Sequence, residues 1–137
     1  MSRKLVSVVL ATLTVSTVLA ARAGAVGTEF QVNTYTTNIQ TRPDVAVDGA
    51  GRAVFVWTSV LQDGSDTGVH GQRFDAAGLP VGGEFQVNTY TTMYQAGARV
   101  AAASGGSFVV AWSGAGSASS YGVFARRYDS AGLPLGG

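Results

Sequence analysis

The chain contains no cysteine and one histidine among 137 residues. Without cysteine there are no disulfides, no thiolate zinc sites and no cysteine nucleophile. One imidazole leaves no histidine cluster for a metal or a triad. Charge is scarce too. Charged residues make up 12% of the chain, well under the usual ~25%. That shortage argues against a coiled coil, a helical bundle or a charge-rich disordered tail. After residue 25 no apolar run approaches the length of a membrane span. Glycine is what abounds: there are 19, about twice the ordinary share. Length alone allows one domain.

Residues 1–25 are read as a secretory signal peptide. Arg3 and Lys4 form the positive n-region, and Leu5 to Ala20 is an uncharged, mostly apolar core. Ala21-Arg22-Ala23 and Ala23-Gly24-Ala25 both offer small-x-small cleavage patterns. Cleavage after Ala25 leaves Val26 as the new terminus. The competing reading, an uncleaved anchor, has an apolar stretch short of the ~20 residues a spanning helix needs. No cysteine follows the core, so a lipoprotein anchor is excluded. Losing Arg3, Lys4 and Arg22 leaves six basic against eight acidic residues, a net charge of −2. A nucleic-acid partner is not expected of a chain with no basic excess.

The rest is self-similar. Glu29-Phe30-Gln31-Val32-Asn33-Thr34-Tyr35-Thr36-Thr37 recurs unchanged at Glu84 to Thr92, an offset of 55. Trp57 matches Trp112 at that offset, and Phe74-Asp75 matches Tyr128-Asp129 at 54. Gly78 to Gly83 matches Gly132 to Gly137. Residues 26–137 thus divide into two tandem copies, 28–82 and 83–137. A period near 50 residues points to a propeller, a solenoid or an array.

Each copy predicts four strands. Phe30 and Val32 alternate with Gln31 and Asn33, and Val45 and Val47 with Asp44 and Asp48. Ala53 to Trp57 is a continuous apolar run suited to a strand buried on both faces. Gly68 to Asp75 alternates again. Asp48-Gly49-Ala50-Gly51 and Asp75 to Pro80 read as turns. Taking the inner strand from Pro43, residues 43–48, 52–59, 68–75 and 84–90 make one blade. Residues 29–35 are then an outer strand without a blade. Strands 98–103, 107–113 and 122–129 lack an outer strand, and the sequence stops where the next Glu-Phe-Gln-Val-Asn would begin. The class is all-β, in tandem four-stranded antiparallel repeats of propeller-blade type, with a β-sandwich as the alternative.

These segments resemble a repeat of secreted or surface proteins of bacteria. Such repeats alternate a Glu-Phe-Gln-Val-Asn-Thr segment with an apolar run ending in Trp, here Val54 to Trp57. A Gly-x-Arg-Phe-Asp segment follows, here Gly71 to Asp75, with Ala125-Arg126-Arg127-Tyr128-Asp129 departing from it in the second copy. The resemblance covers residues 28–137. It implies β-propeller-like blades and no defined activity. Asp48 to Gly51 also resembles the aspartate box of sialidase-type propellers. That motif is structural, the second copy reads Ala103-Ser104-Gly105-Gly106, and no sialidase activity is carried over.

No catalytic, metal or cofactor site is assigned. His70 matches Phe124, so a packing role is expected of it. Glu29 with Glu84, and Asp75 with Asp129, are read as edge and turn residues rather than a glycosidase pair. Asp63-Gly64-Ser65-Asp66 has two carboxylates, fewer than calcium wants, and its counterpart has none. Trp57 and Trp112 are read as core. Blade topology puts loops 36–42, 60–67, 91–97 and 114–121 on one face. There a ligand would meet Asn38, Gln40, Arg42, Gln62, Asp63, Asp66, Tyr94, Gln95 and Tyr121. The expected protein is a non-catalytic, secreted or surface-displayed binding repeat whose partner is a glycan or a protein. The alternatives are a piece of a larger propeller hydrolase and a spacer from a longer array. Two blades close no ring, so the isolated mature protein is expected either to be a cyclic homo-oligomer, three chains giving six blades, or to fold poorly alone.

Export is directly testable. Mass spectrometry of the secreted or periplasmic product should find an N-terminus at or near Val26. A cytosolic protein beginning at Met1 refutes the signal-peptide reading.

Overall fold

A computed structural model describes residues 27–117 and 120–136. The assigned leader, residues 1–25, lies outside them. Short apolar runs between Asp and Gly turns give eight strands and, among the described residues, no helix. They are β1 (Gln40–Val47), β2 (Ala53–Val60), β3 (Thr67–Phe74), β4 (Pro80–Gln86), β5 (Gln95–Ala102), β6 (Phe108–Ala115), β7 (Tyr121–Tyr128) and β8 (Pro134–Leu135). The all-β class holds.

Three of the four tight turns share one device. Asp48 Oδ1 accepts from the amides of Ala50 and Arg52, both at 2.9 Å. Asp75 does the same for Ala77 and Leu79, and Asp129 for Ala131 and Leu133. Each turn then needs a left-handed residue, and Gly51, Gly78 and Gly132 supply it at φ near 80°. The Ala103 turn has no carboxylate but keeps the backbone bonds, Ala103 N to Ser107 O and Gly106 N to Ala103 O.

Two four-stranded antiparallel sheets result, ordered β1-β2-β3-β4 and β5-β6-β7-β8. They pack face to face and do not close into a ring. Residues paired across strands point the same way. Val54 with Arg73, Val56 with Gly71 and Thr58 with Val69 therefore share one face of the first sheet. Phe108 with Tyr128, Val110 with Arg126 and Trp112 with Phe124 share one face of the second. These two faces meet. Val54, Val56, Val69 and Val87 join Ala98, Phe108, Val110, Trp112 and Tyr128 in one core. The rings of Phe108 and Tyr128 stack at 4.6 Å.

The expected outer strand needs correction. It begins at Pro80, not residue 84, because Pro80 and Val81 pair with Phe74 and Arg73 straight after the turn. A register shift follows between Gly71 and Arg73, with Gly82 at φ 71°, before Phe85 rejoins opposite Gly71. Proline sits without penalty on this edge. The second sheet likewise has the start of an outer strand, β8. Residues 29–35 form no strand, since among the described residues there is no third sheet to join. The inner strands begin at Gln40 and Gln95, three residues before the predicted 43 and 98, each through a bulge.

Trp57 is 4% exposed and Trp112 8%. Replacing either with Ala should cost about 3–5 kcal/mol in denaturant unfolding. A variant that keeps its full stability would remove that tryptophan from the core.

Candidate functional site

The connections at one end of the sheets are the turns just described. Those at the other end are longer and laced together. Val60 donates its amide to Ile39 O at 3.0 Å and Leu61 to Asp66 O at 3.0 Å. Met93 N donates to Ser65 Oγ at 3.2 Å, and Ala115 N to Tyr94 O at 2.9 Å. Segments 36–42, 61–66, 91–97 and the start of the β6–β7 loop thus form one surface, as blade topology anticipates.

A repeated staple holds this surface. Gln40 Nε2 donates to Thr37 O at 2.7 Å, and Gln95 Nε2 to Thr92 O at 2.8 Å. Asn33 Nδ2 donates to Tyr35 O at 2.7 Å and to Gln40 Oε1 at 3.4 Å. Asn88 Nδ2 donates to Tyr90 O at 3.0 Å and to Gln95 Oε1 at 3.4 Å. In the second copy the staple is buried: Asn88 is 3% exposed and Gln95 1%. Asn88 Oδ1 also accepts the buried Val69 amide at 2.7 Å. These bonds give a physical reason for the unchanged Asn-Thr-Tyr-Thr-Thr run.

The nine anticipated residues divide by direction. Gln40 and Gln95 are staples. Gln62 donates to Glu84 Oε2 at 2.8 Å, and Asp63 accepts from Gln86 Nε2 at 3.0 Å. These four turn their polar groups inside the protein, where Gln62 Oε1 is buried without a partner. Asn38, Arg42, Asp66 and Tyr121 are exposed. Tyr94 is half-buried, and its hydroxyl accepts from Arg42 Nη1 at 3.1 Å. Asp63 and Asp66 are not brought together with a third ligand: no group of three His, Asp or Glu lies close among the described residues.

Ile39, Leu61 and Met93 share this end and were not anticipated. They are 65%, 50% and 38% exposed. Asn38, Arg42, Leu61 and Met93 all have positive φ, at 62°, 53°, 60° and 66°. No other described non-glycine residue does. Nothing in a Leu or Met position announces a left-handed backbone, so sequence carried no signal for these two.

Glu84 clasps the N-terminal segment. Its Oε1 accepts the amides of Thr34 and, at 3.1 Å, Tyr35. Partial burial alone would raise its pKa, but these amides and the Gln62 amide together hold it below the usual carboxylate value. His70 lies opposite Trp57, 5% exposed, its Nδ1 without a partner. Burial pushes its pKa down, outweighing the opposing pull of the Asp63 carboxylate.

No protein-family model, curated protein or solved structure matches the chain.

Acid should lower the protein's stability in two stages. A histidine held neutral by folding costs stability as pH falls through its unfolded value of about 6.5. A carboxylate with a lowered pKa contributes stability that fades as pH falls below about 4.5. His70→Phe, which installs the residue of the second copy, should flatten the first stage, and Glu84→Gln should reduce the second, to which Asp48 also contributes. Melting temperature against pH checks both. An unchanged first stage in His70→Phe would reassign it to another group.

Proposed function

We propose that this is a secreted or surface-displayed, non-catalytic binding protein built from two propeller-type blades, its loop end the ligand face. One observation carries the reading. Every described non-glycine residue with positive φ sits at that end, while the tight-turn end meets the same need with Gly51, Gly78, Gly106 and Gly132. Backbone strain of this kind costs on the order of 1–3 kcal/mol per residue and concentrates at functional sites. A fold that already uses glycine for the purpose carries Asn38, Arg42, Leu61 and Met93 there instead.

The chemistry favours a protein ligand. Ile39, Leu61, Met93 and Tyr121 expose apolar surface beside the Arg42 to Tyr94 bond. Met, Tyr and Arg are the residue types enriched in protein interfaces. The blade reading is supported by the outer faces of both sheets. A sandwich turns polar residues outward. Here Val45 and Val47 are exposed on one outer face, Val109 and Val123 on the other.

The test is a panel of extracellular proteins and a glycan array, probed with wild type and with Leu61→Ser/Met93→Ser/Arg42→Ala. Binding to a protein that falls at least tenfold in the variant, with melting temperature kept, supports the reading. Binding confined to glycans replaces the ligand class. A hydrolase activity abolished by one carboxylate substitution overturns the non-catalytic assignment.

A further inference from the structure

The outer face of the second sheet is a seat whose occupant already exists in the sequence. In the first sheet β3 is flanked by residues 84–88. Phe85 pairs with Gly71 and Gln86 with His70. Val87 N donates to Val69 O at 2.8 Å, and Asn88 Oδ1 accepts the Val69 amide. In the second sheet, among the described residues, the edge of β7 away from β6 has only the two residues of β8 beside it, on Arg127 and Tyr128. Val69 is 0% exposed and its counterpart Val123 is 81% exposed. Where a counterpart of residues 84–88 would lie along β7 there is a cavity of about 410 Å³, bounded by Trp112, Phe124, Ala125 and Leu135 of the second sheet and by Val87 and Thr89 beside it.

We propose that a second copy of this chain docks there head to tail, its residues 29–33 completing the outer strand along β7. Those residues repeat Glu84 to Asn88 without change. The register follows from the first sheet: the incoming Phe30 sits opposite Ala125 and Gln31 opposite Phe124. Val32 N donates to the edge carbonyl of Val123, and Asn33 Oδ1 accepts its amide. Glu29 then reaches the amides of Thr89 and Tyr90, as Glu84 reaches those of Thr34 and Tyr35. Among the described residues neither amide has an acceptor. The incoming Phe30 is already posed, 55% exposed, with its ring against Phe55 and Phe74 of its own chain. Phe85 holds the same pose against Tyr128, the counterpart of Phe74, with ring centroids 5.5 Å apart in both pairs. Behind the strand, Val45 and Val47 of the incoming copy cover Val109, Ala111 and Val123.

Two features do not carry over, and both make this contact looser than the one inside the chain. Ala125 stands where Gly71 stands, and a Cβ on Gly71 would meet Phe85 Cζ at 2.8 Å, so the incoming ring tip must turn aside. Asp44, which accepts the Val100 amide at 2.9 Å, is matched by Arg99. The contact joins unlike surfaces, so it forms a ring where the rotation closes and an open string where it does not. This inference is independent of the ligand reading.

Light scattering on the purified protein, with Val123→Asp and Val32→Asp, tests it. Wild type should run as a multiple of the chain mass, discrete for a ring and graded for a string. Each variant keeps one good surface and spoils the other, so each alone should run as one chain. Mixed, they should form a one-to-one complex and nothing larger. Should Val32→Asp fail to melt cooperatively, Glu29→Lys takes its place, because Glu29 is exposed. A wild type that runs as one chain overturns the proposal. So does an assembly that survives Val123→Asp, or a mixture that stays apart.

Discussion

Phe85 belongs to two sheets at once, and the rest of the structure depends on that. Its backbone pairs with Gly71 in the first sheet, while its ring lies 5.5 Å from Tyr128 and 6.3 Å from Phe108 in the second. The approach is tight, since a Cβ on Gly71 would collide with the ring. A strand that ends one sheet thereby becomes the wedge that sets the next. Val87, two residues on, enters the same core fully buried, and Asn88 ties it to Val69. Asn88 then organises the loop that turns into β5. The apolar contact and the loop geometry are consecutive uses of one nine-residue segment.

That arrangement explains why the two copies differ in burial though they are alike in sequence. Val32 and Asn33 are half-buried where Val87 and Asn88 are buried. The residues are identical, but among the described residues Val32 and Asn33 have no sheet of their own to pair with, as Val87 and Asn88 have β3. Burial here is a property of position in a stack. The same logic accounts for Val123 against Val69, which share a residue type and a strand position.

Much of the fold was legible for a simple reason. Period-2 alternation and Asp-Gly turns are local signals, and in Asp48, Asp75 and Asp129 the carboxylate bonds amides two and four residues ahead. The tryptophans were legible as core because they close apolar runs. The outer strand was misplaced by four residues because a bulge at Gly82 keeps the pairing going through a stretch that looks like pure turn. The candidate site was half legible. Topology named the end of the sheets, but it could not separate Gln40, Gln62 and Gln95, turned inward, from Arg42 and Tyr121, turned outward. Amide direction depends on partners far along the chain, such as Glu84 for Gln62. Leu61 and Met93 were invisible, because their exposure comes from backbone twist rather than residue type.

The two ends of the sheets solve one steric problem in two ways. A tight connection between strands needs a left-handed residue, and glycine meets that need without a Cβ penalty. At one end all four turns use it. At the other, Asn38 and Met93 take matching positions in the two copies at φ 62° and 66°. Arg42 is matched by Gly97, at 53° and 69°. At that last position the copies test each other. The geometry accepts glycine, as Gly97 demonstrates, yet the first copy carries an arginine whose guanidinium reaches Tyr94 of the second. The bulge imposes the positive φ in both copies, but it does not impose an arginine. The arginine side chain links the two copies across their shared loop surface. Such a link fixes the relative placement of exposed groups from both copies, which a rigid binding face requires and a spacer does not.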